Sequence, residues 1–289
     1  MLQIINIVFP IFAIVLIGYL YARRHGPDMA SANRLNVEIF TPALIFHVLT
    51  QEGFDLSAYG DLALAAAVVV LGSGVIAWPI GRLLGYPYKA FVPPMMFNNS
   101  GNMGLPLALF AFGEQALPAA MILFLVENTL HFSVGGAMLT GHINPLRLLL
   151  NPMLASTLVG IAVALSGIHI PVPLGETIKL LGQVAIPLML FALGVRLTSV
   201  DFTNWRIGVV GAVVAPFSGL ICAILALKLI SLDTAQAAQL LVFSILPPAV
   251  LNYMLAERYN LYPHQMAAIV LIGNLASLVT IPAALYWVL

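Results

Sequence analysis

Ten apolar stretches joined by short polar loops constrain this chain more than any single motif does. They run Leu2–Tyr21, Asn36–Leu49, Leu62–Leu83, Phe91–Phe112, Gln115–Leu139, Leu149–Ser166, Thr177–Leu197, Ile207–Ile230, Gln236–Leu255 and Met266–Leu289. About 20 residues of helix cross the roughly 30 Å of hydrocarbon in a bilayer. That layer offers the backbone no water to bond, so helices that satisfy their own amides are the expected form. The fold class that follows is an all-α integral membrane protein of ten transmembrane helices, with the lipid bilayer as its main partner. The first stretch has no Lys or Arg ahead of it, and Ala22-Arg23-Arg24-His25 behind it lacks a small-residue cleavage pattern. It is expected to be a retained span rather than a signal peptide.

Composition removes other classes. Only 8% of residues are charged and the mean hydropathy is +1.03, where a soluble domain carries about a quarter charged. The 11 Lys and Arg balance 11 Asp and Glu, so no basic face exists for nucleic acid. A lone Cys222 in an apolar run excludes an intramolecular disulfide and a Cys-rich metal site. His-Glu metalloprotease spacing, a serine elbow and a Gly-rich phosphate loop followed by Lys are all missing, and no enzyme is expected.

Lys and Arg are retained on the cytoplasmic side of a membrane. With the N-terminus outside, cytoplasmic loops and helix ends hold Arg23, Arg24, Arg34, Arg82, Lys89, Arg147, Arg196, Arg206 and Arg258, leaving Lys179 and Lys228 opposite. Both termini are therefore expected outside. Ten spans with both ends on one side divide into residues 1–140 and 149–289, and five spans per half turn the second half upside down. Motifs recur in that order. Pro10 and Gly18 match Pro152 and Gly160; Pro42 and Phe46 match Pro187 and Phe191; Pro93-Pro94 with Asn98 match Pro247-Pro248 with Asn252; Glu127-Asn128 matches Gly273-Asn274. Inverted repeats of this kind generate alternating access in secondary transporters.

The fourth span contains Asn98-Asn99-Ser100-Gly101-Asn102-Met103-Gly104-Leu105-Pro106, too polar and too rich in breakers for a regular lipid-facing helix. With Pro247-Pro248 and Asn252 in the ninth, it predicts two broken helices, 4 and 9, crossing near the midplane, with interruptions at about Asn99 to Gly101 and Pro248 to Asn252. A half-helix N-terminus there suits a carboxylate. Close helix packing is the plainer explanation for the prolines and glycines. Candidate substrate-binding residues are Asn98, Asn99, Ser100, Asn102, Pro248 and Asn252. Glu127 lies half-way along the fifth span, with His131 one turn on and Asn128 adjacent; an ionisable group at that depth marks function or finds a neutralising neighbour. Glu127, Asn128, His131 and Asn274 are the candidate ion-coupling residues, for a proton or sodium ion; no other cofactor is expected.

The run Gly101-Asn102-Met103-Gly104-Leu105-Pro106-Leu107 followed by Phe112-Gly113 resembles a signature of the auxin efflux carrier family. So do Ile186-Pro187-Leu188-Met189-Leu190-Phe191-Ala192-Leu193-Gly194 and Pro247-Pro248-Ala249-Val250-Leu251-Asn252-Tyr253-Met254-Leu255-Ala256. The resemblance covers the whole chain. It lacks the long central loop of many plant members, which points to a compact bacterial type in the inner membrane. It implies a fold similar to the bile-acid sodium symporters, with scaffold and core transport domains. It also implies small organic anions such as malonate, malate or auxin-like acids as substrates, with Asn98, Asn99 and Asn252 touching them, and it admits a homodimer. A sodium-coupled bile-acid-type symporter, a channel and a sensor remain the alternatives.

Overall fold

The computed structural model describes residues 2–51, 54–142, 150–198 and 203–289; Arg147 and Leu149 lie outside them. Among the described residues every extended element is helical. In chain order these are α1 (Leu2–His25), α2 (Ala30–Leu35), α3 (Thr41–Leu49), α4 (Gly60–Leu83), α5 (Tyr88–Met96), α6 (Leu105–Phe112) and α7 (Leu117–Leu130). There follow α8 (Gly136–Thr140), α9 (Pro152–Ser166), α10 (Val172–Arg196), α11 (Trp205–Leu229), α12 (Thr234–Ser244), α13 (Val250–Tyr259) and α14 (Pro263–Val288). Wider π turns at Asn36–Phe40 and His131–Gly135 join α2 to α3 and α7 to α8, and a third, Ser100–Gly104, leads into α6.

Among the described residues, six helical stretches are long and apolar enough to cross a bilayer: Gln3–His25, Leu56–Leu83, Glu114–Thr140, Val172–Arg196, Trp205–Leu229 and Pro263–Val288. Their outer faces carry Phe9, Val75, Leu83 and Val279 exposed to the surroundings. In water that surface would be an aggregation liability; against acyl chains it costs nothing. The chain is an integral membrane protein.

Several boundaries move from those read in the sequence. The second apolar segment begins at Ala30 rather than Asn36, and the seventh at Val172 rather than Thr177, because polar flanking residues continue a helix that hydropathy alone truncates. The matched prolines of those segments are accommodated differently. Ahead of Pro42 the chain widens into a π turn in which the Thr41 N–H reaches the Asn36 carbonyl, whereas α10 runs on through Pro187. A π turn is one way to absorb the bond a proline cannot donate.

Packing rests on small residues where helices touch. α1 and α10 lie so close that a Cβ on Gly194 would collide with the Val15 carbonyl, the small-residue contact typical of helices in lipid. Cys222 is buried in α11 against Gly72 of α4.

Candidate functional site

The site is built where two helices fail. In α12 the chain approaches Pro247-Pro248, which have no N–H to offer the carbonyls of Phe243 and Ser244. The helix first tightens, with Ile245 N–H to the Val242 carbonyl and Leu246 N–H to the Phe243 carbonyl, both at 3.3 Å. It then runs extended until α13 opens at Val250. The other interruption follows Met96: Phe97 is extended and helical turns resume at Ser100.

The two extended pieces satisfy each other. Asn98 and Pro248 form an antiparallel bridge, in which Asn99 N–H donates to the Pro247 carbonyl at 2.7 Å and Ala249 N–H to the Phe97 carbonyl at 2.9 Å. Side chains complete the exchange. Asn98 Nδ2 donates to the Phe243 carbonyl at 2.7 Å, beside the longer bond from the Leu246 N–H, and Asn252 Nδ2 donates to the Phe97 carbonyl at 2.9 Å and to that of Ala249 at 3.0 Å. Buried carbonyls that two breaks would otherwise strand are thus paired. Both interruptions fall a few residues before the predicted positions. The Pro pairs are also not equivalent in space: Pro247-Pro248 sit in the junction itself, while Pro93-Pro94 lie inside α5 ahead of it.

Beyond the antiparallel bridge, Ser100 and Val250 begin helical turns on opposite sides of the junction. The first amides of a helix have no intrahelical acceptor and carry fractional positive charge. On one flank Asn99 Nδ2 donates to Asn274 Oδ1 at 3.1 Å, while Asn274 Nδ2 donates to the Pro248 carbonyl at 3.0 Å and the Val270 carbonyl at 2.7 Å. Gly273 lets Pro248 rest directly on α14, since a Cβ there would stand 2.6 Å from Pro248 Cδ. On the other flank Ser100 Oγ donates to Glu127 Oε2 at 2.9 Å, and His131 Nδ1 lies 3.2 Å from Glu127 Oε1. Glu127 and His131 are 3% and 1% exposed. The His131 ring stacks on Phe97, centroids 4.2 Å apart and planes 8° from parallel. The pair therefore touches the first residue of the break and the first after it.

The predicted residues divide accordingly. Asn98, Asn99, Ser100, Pro248, Asn252, Glu127, His131 and Asn274 come together at the junction. Asn128 does not; its Nδ2 turns to Met153 Sδ at 3.3 Å. Asn102 is half-buried, in the first turn after the break, and its side chain has no hydrogen-bond partner among the described residues. The Oδ1 atoms of Asn98 and Asn252 are buried and likewise without a partner among the described residues.

Cavities flank the junction. One of about 20 Å³ is lined by Ser100, Gly104, Gln239, Phe243 and Leu246, room for about one water. The other, about 310 Å³, is lined by Arg196, Val250, Tyr253, Met254, Glu257 and Asn274, among others. Sequence reasoning preferred the charge bias of the loops for Arg196 over escort of an anion at the cytoplasmic mouth; its position two residues past the family-like run ending at Gly194 was the other signal for its place on this wall.

A family model described as "Membrane transport protein" matches residues 3–145 and 137–285. A Rhizobium meliloti (strain 1021) protein named "Putative malonate transporter" is 29% identical, over 99% of this chain and 96% of its own. An Escherichia coli (strain K12) protein named "Uncharacterized transporter YfdV" is 25% identical, over 96% and 95%.

Proposed function

The chain belongs to the membrane transport protein family that includes the auxin efflux carriers, and from that premise we propose that it is a secondary transporter of small organic anions working by alternating access. Its substrate site is the junction of the two interrupted helices. The observation that carries this reading is the approach of two helix N-termini to one buried junction from opposite sides, Ser100 at the 20 Å³ cavity and Val250 on the wall of the 310 Å³ cavity. Oriented amides and fractional positive charge in a dry site attract a carboxylate without trapping it. The amide of Asn102 is the side-chain donor left for the ligand, since those of Asn98 and Asn252 hold carbonyls. The R. meliloti relative's name adds malonate to the candidates.

The architecture we propose has ten spans in two inverted sets of five: α1, α2 with α3, α4, α5 with α6 and α7 with α8, then α9, α10, α11, α12 with α13 and α14. Reciprocal contacts support it. Gly18 of the first span packs on the backbone of Phe191 in the seventh, and Gly160 of the sixth packs on the Leu49 side chain and, less closely, on the Phe46 Cα in the second. The Lys and Arg distribution supports termini outside a bacterial inner membrane. Glu127 with His131 is the coupling site for a proton. A sodium-coupled reading is favoured by one observation, the two unpartnered Asn oxygens, which are acceptors suited to a cation.

The test is uptake of labelled mono- and dicarboxylates into proteoliposomes, with proton and sodium gradients imposed separately. Accumulation of a small carboxylate driven by the proton gradient is expected. Accumulation driven by sodium alone selects the second reading, and failure of every carboxylate defeats both.

A further inference from the structure

The larger cavity holds a cation that the junction does not use. Arg196 closes α10, and its Nη1 donates to Met254 Sδ at 3.3 Å. A thioether is a weak acceptor, so the guanidinium fork is largely unspent. Among the described residues the ion pairs are Arg34 with Glu38 and His131 with Glu127; no carboxylate lies within pairing distance of Arg196. Glu257, the carboxylate on the same wall, instead accepts the Tyr253 hydroxyl at 3.0 Å. The wall also includes Val250 and Asn274 of the junction. Val250 and Met254 are one turn apart on α13, about 6 Å at 1.5 Å per residue. An unpaired guanidinium thus looks into a cavity whose inner boundary is a helix N-terminus. At about 310 Å³ the space is at the lower end of small-molecule sites, roughly 300–1,000 Å³.

We propose that Arg196 receives the second carboxylate of a short dicarboxylate whose first carboxylate is held by the opening amides of α13 beside Asn274. The proposal rests on reading the junction as an anion site and adds what selects among anions. A planar fork binds a carboxylate through two parallel N–H···O bonds and is always charged. The one-turn separation restricts the diacid to a short chain. Glu257, close by and negative, opposes the second charge and keeps binding reversible.

The experiment is calorimetric titration of the purified full chain in lipid nanodiscs with malonate and with its monomethyl ester, of nearly equal size but one charge fewer. The parent should prefer the diacid by roughly 10–100-fold, the worth of hydrogen bonds to a charged group. Arg196→Gln should erase that preference, Arg196→Lys should keep part of it, and Glu257→Gln should tighten the diacid several-fold. Retention of the full preference by Arg196→Gln, or an equal affinity of the parent for both compounds, overturns the assignment of Arg196 alone. A parent that binds neither compound overturns the anion site at the junction together with it. Tightening of the diacid in Glu257→Gln supports the assignment independently if Arg196→Gln proves poorly folded.

Discussion

The two flanks of the junction do the same mechanical work with different chemistry. On the α14 side a neutral amide, Asn274, joins Asn99 to the Pro248 carbonyl. On the α7 side a carboxyl group, Glu127, joins Ser100 to His131, and His131 in turn lies flat on Phe97. An amide cannot change its charge near neutral pH, whereas a carboxyl and an imidazole can exchange a proton. In our reading, α14 supports and α7 couples.

The largest expected effect tests that division directly. Glu127→Gln keeps size and hydrogen bonding and removes the titrating group, so gradient-driven accumulation in proteoliposomes should vanish while substrate exchange continues. Asn274→Ala should lower exchange and accumulation in proportion. Selective loss of accumulation in the Asn274 variant would break the comparison.

A smaller effect compares the two glycines that admit the junction. Gly273→Val forces a side chain onto Pro248, which the bridge pins on both sides, and should lower stability by about 1–3 kcal/mol. A Cβ on Gly135 would stand 2.7 Å from Phe97 Cε2 and 3.0 Å from His131 Cδ2. Those are rings that can tilt, so Gly135→Val should cost less. Melting of the purified variants in detergent ranks them, and a reversed order would place the rigid flank on α7.

The smallest effect concerns the capping amides. Asn252→Ala strips a second donor from the Phe97 and Ala249 carbonyls, which keep the Ala249 and Asn252 N–H groups, and Asn98→Ala strips one from the Phe243 carbonyl, which keeps the Leu246 N–H. A lost hydrogen bond whose acceptor keeps another donor costs about 0.5–1.5 kcal/mol, so the Asn252 variant, which loses two, should melt lower than the Asn98 variant, which loses one. Equal melting shifts would mean that the two caps are interchangeable after all.

The apolar segments were legible because length and hydropathy are local properties, and so was the presence of breaks, because Pro-Pro and Asn-rich runs cannot continue a helix in lipid. The location of the breaks was less so. Spacing aligned Pro93-Pro94 with Pro247-Pro248, yet the bridge pairs Asn98 with Pro248, because register across the junction is decided by which carbonyls need donors. The direction of each amide was hidden for the same reason. Asn128 and Glu127 are neighbours in sequence but face α9 and the junction respectively. Arg196 reads from sequence as one more loop cation, and only the packing of α10 against α13 brings it to a cavity wall.

The caps of the junction also set a timetable for making the protein. The Phe97 carbonyl depends on a side chain 155 residues further along, and Asn98 on a carbonyl 145 residues further along. At about 5–20 residues per second, a ribosome takes roughly 8–30 s to deliver those partners. Throughout that interval the nascent first five segments hold an interrupted helix whose polar backbone has no final partner in the bilayer. Membrane insertion must therefore keep this break in contact with water, or with the insertion machinery, until the second interruption arrives. A chain stopped after Thr140 would be a substrate for quality control rather than a stable half-protein.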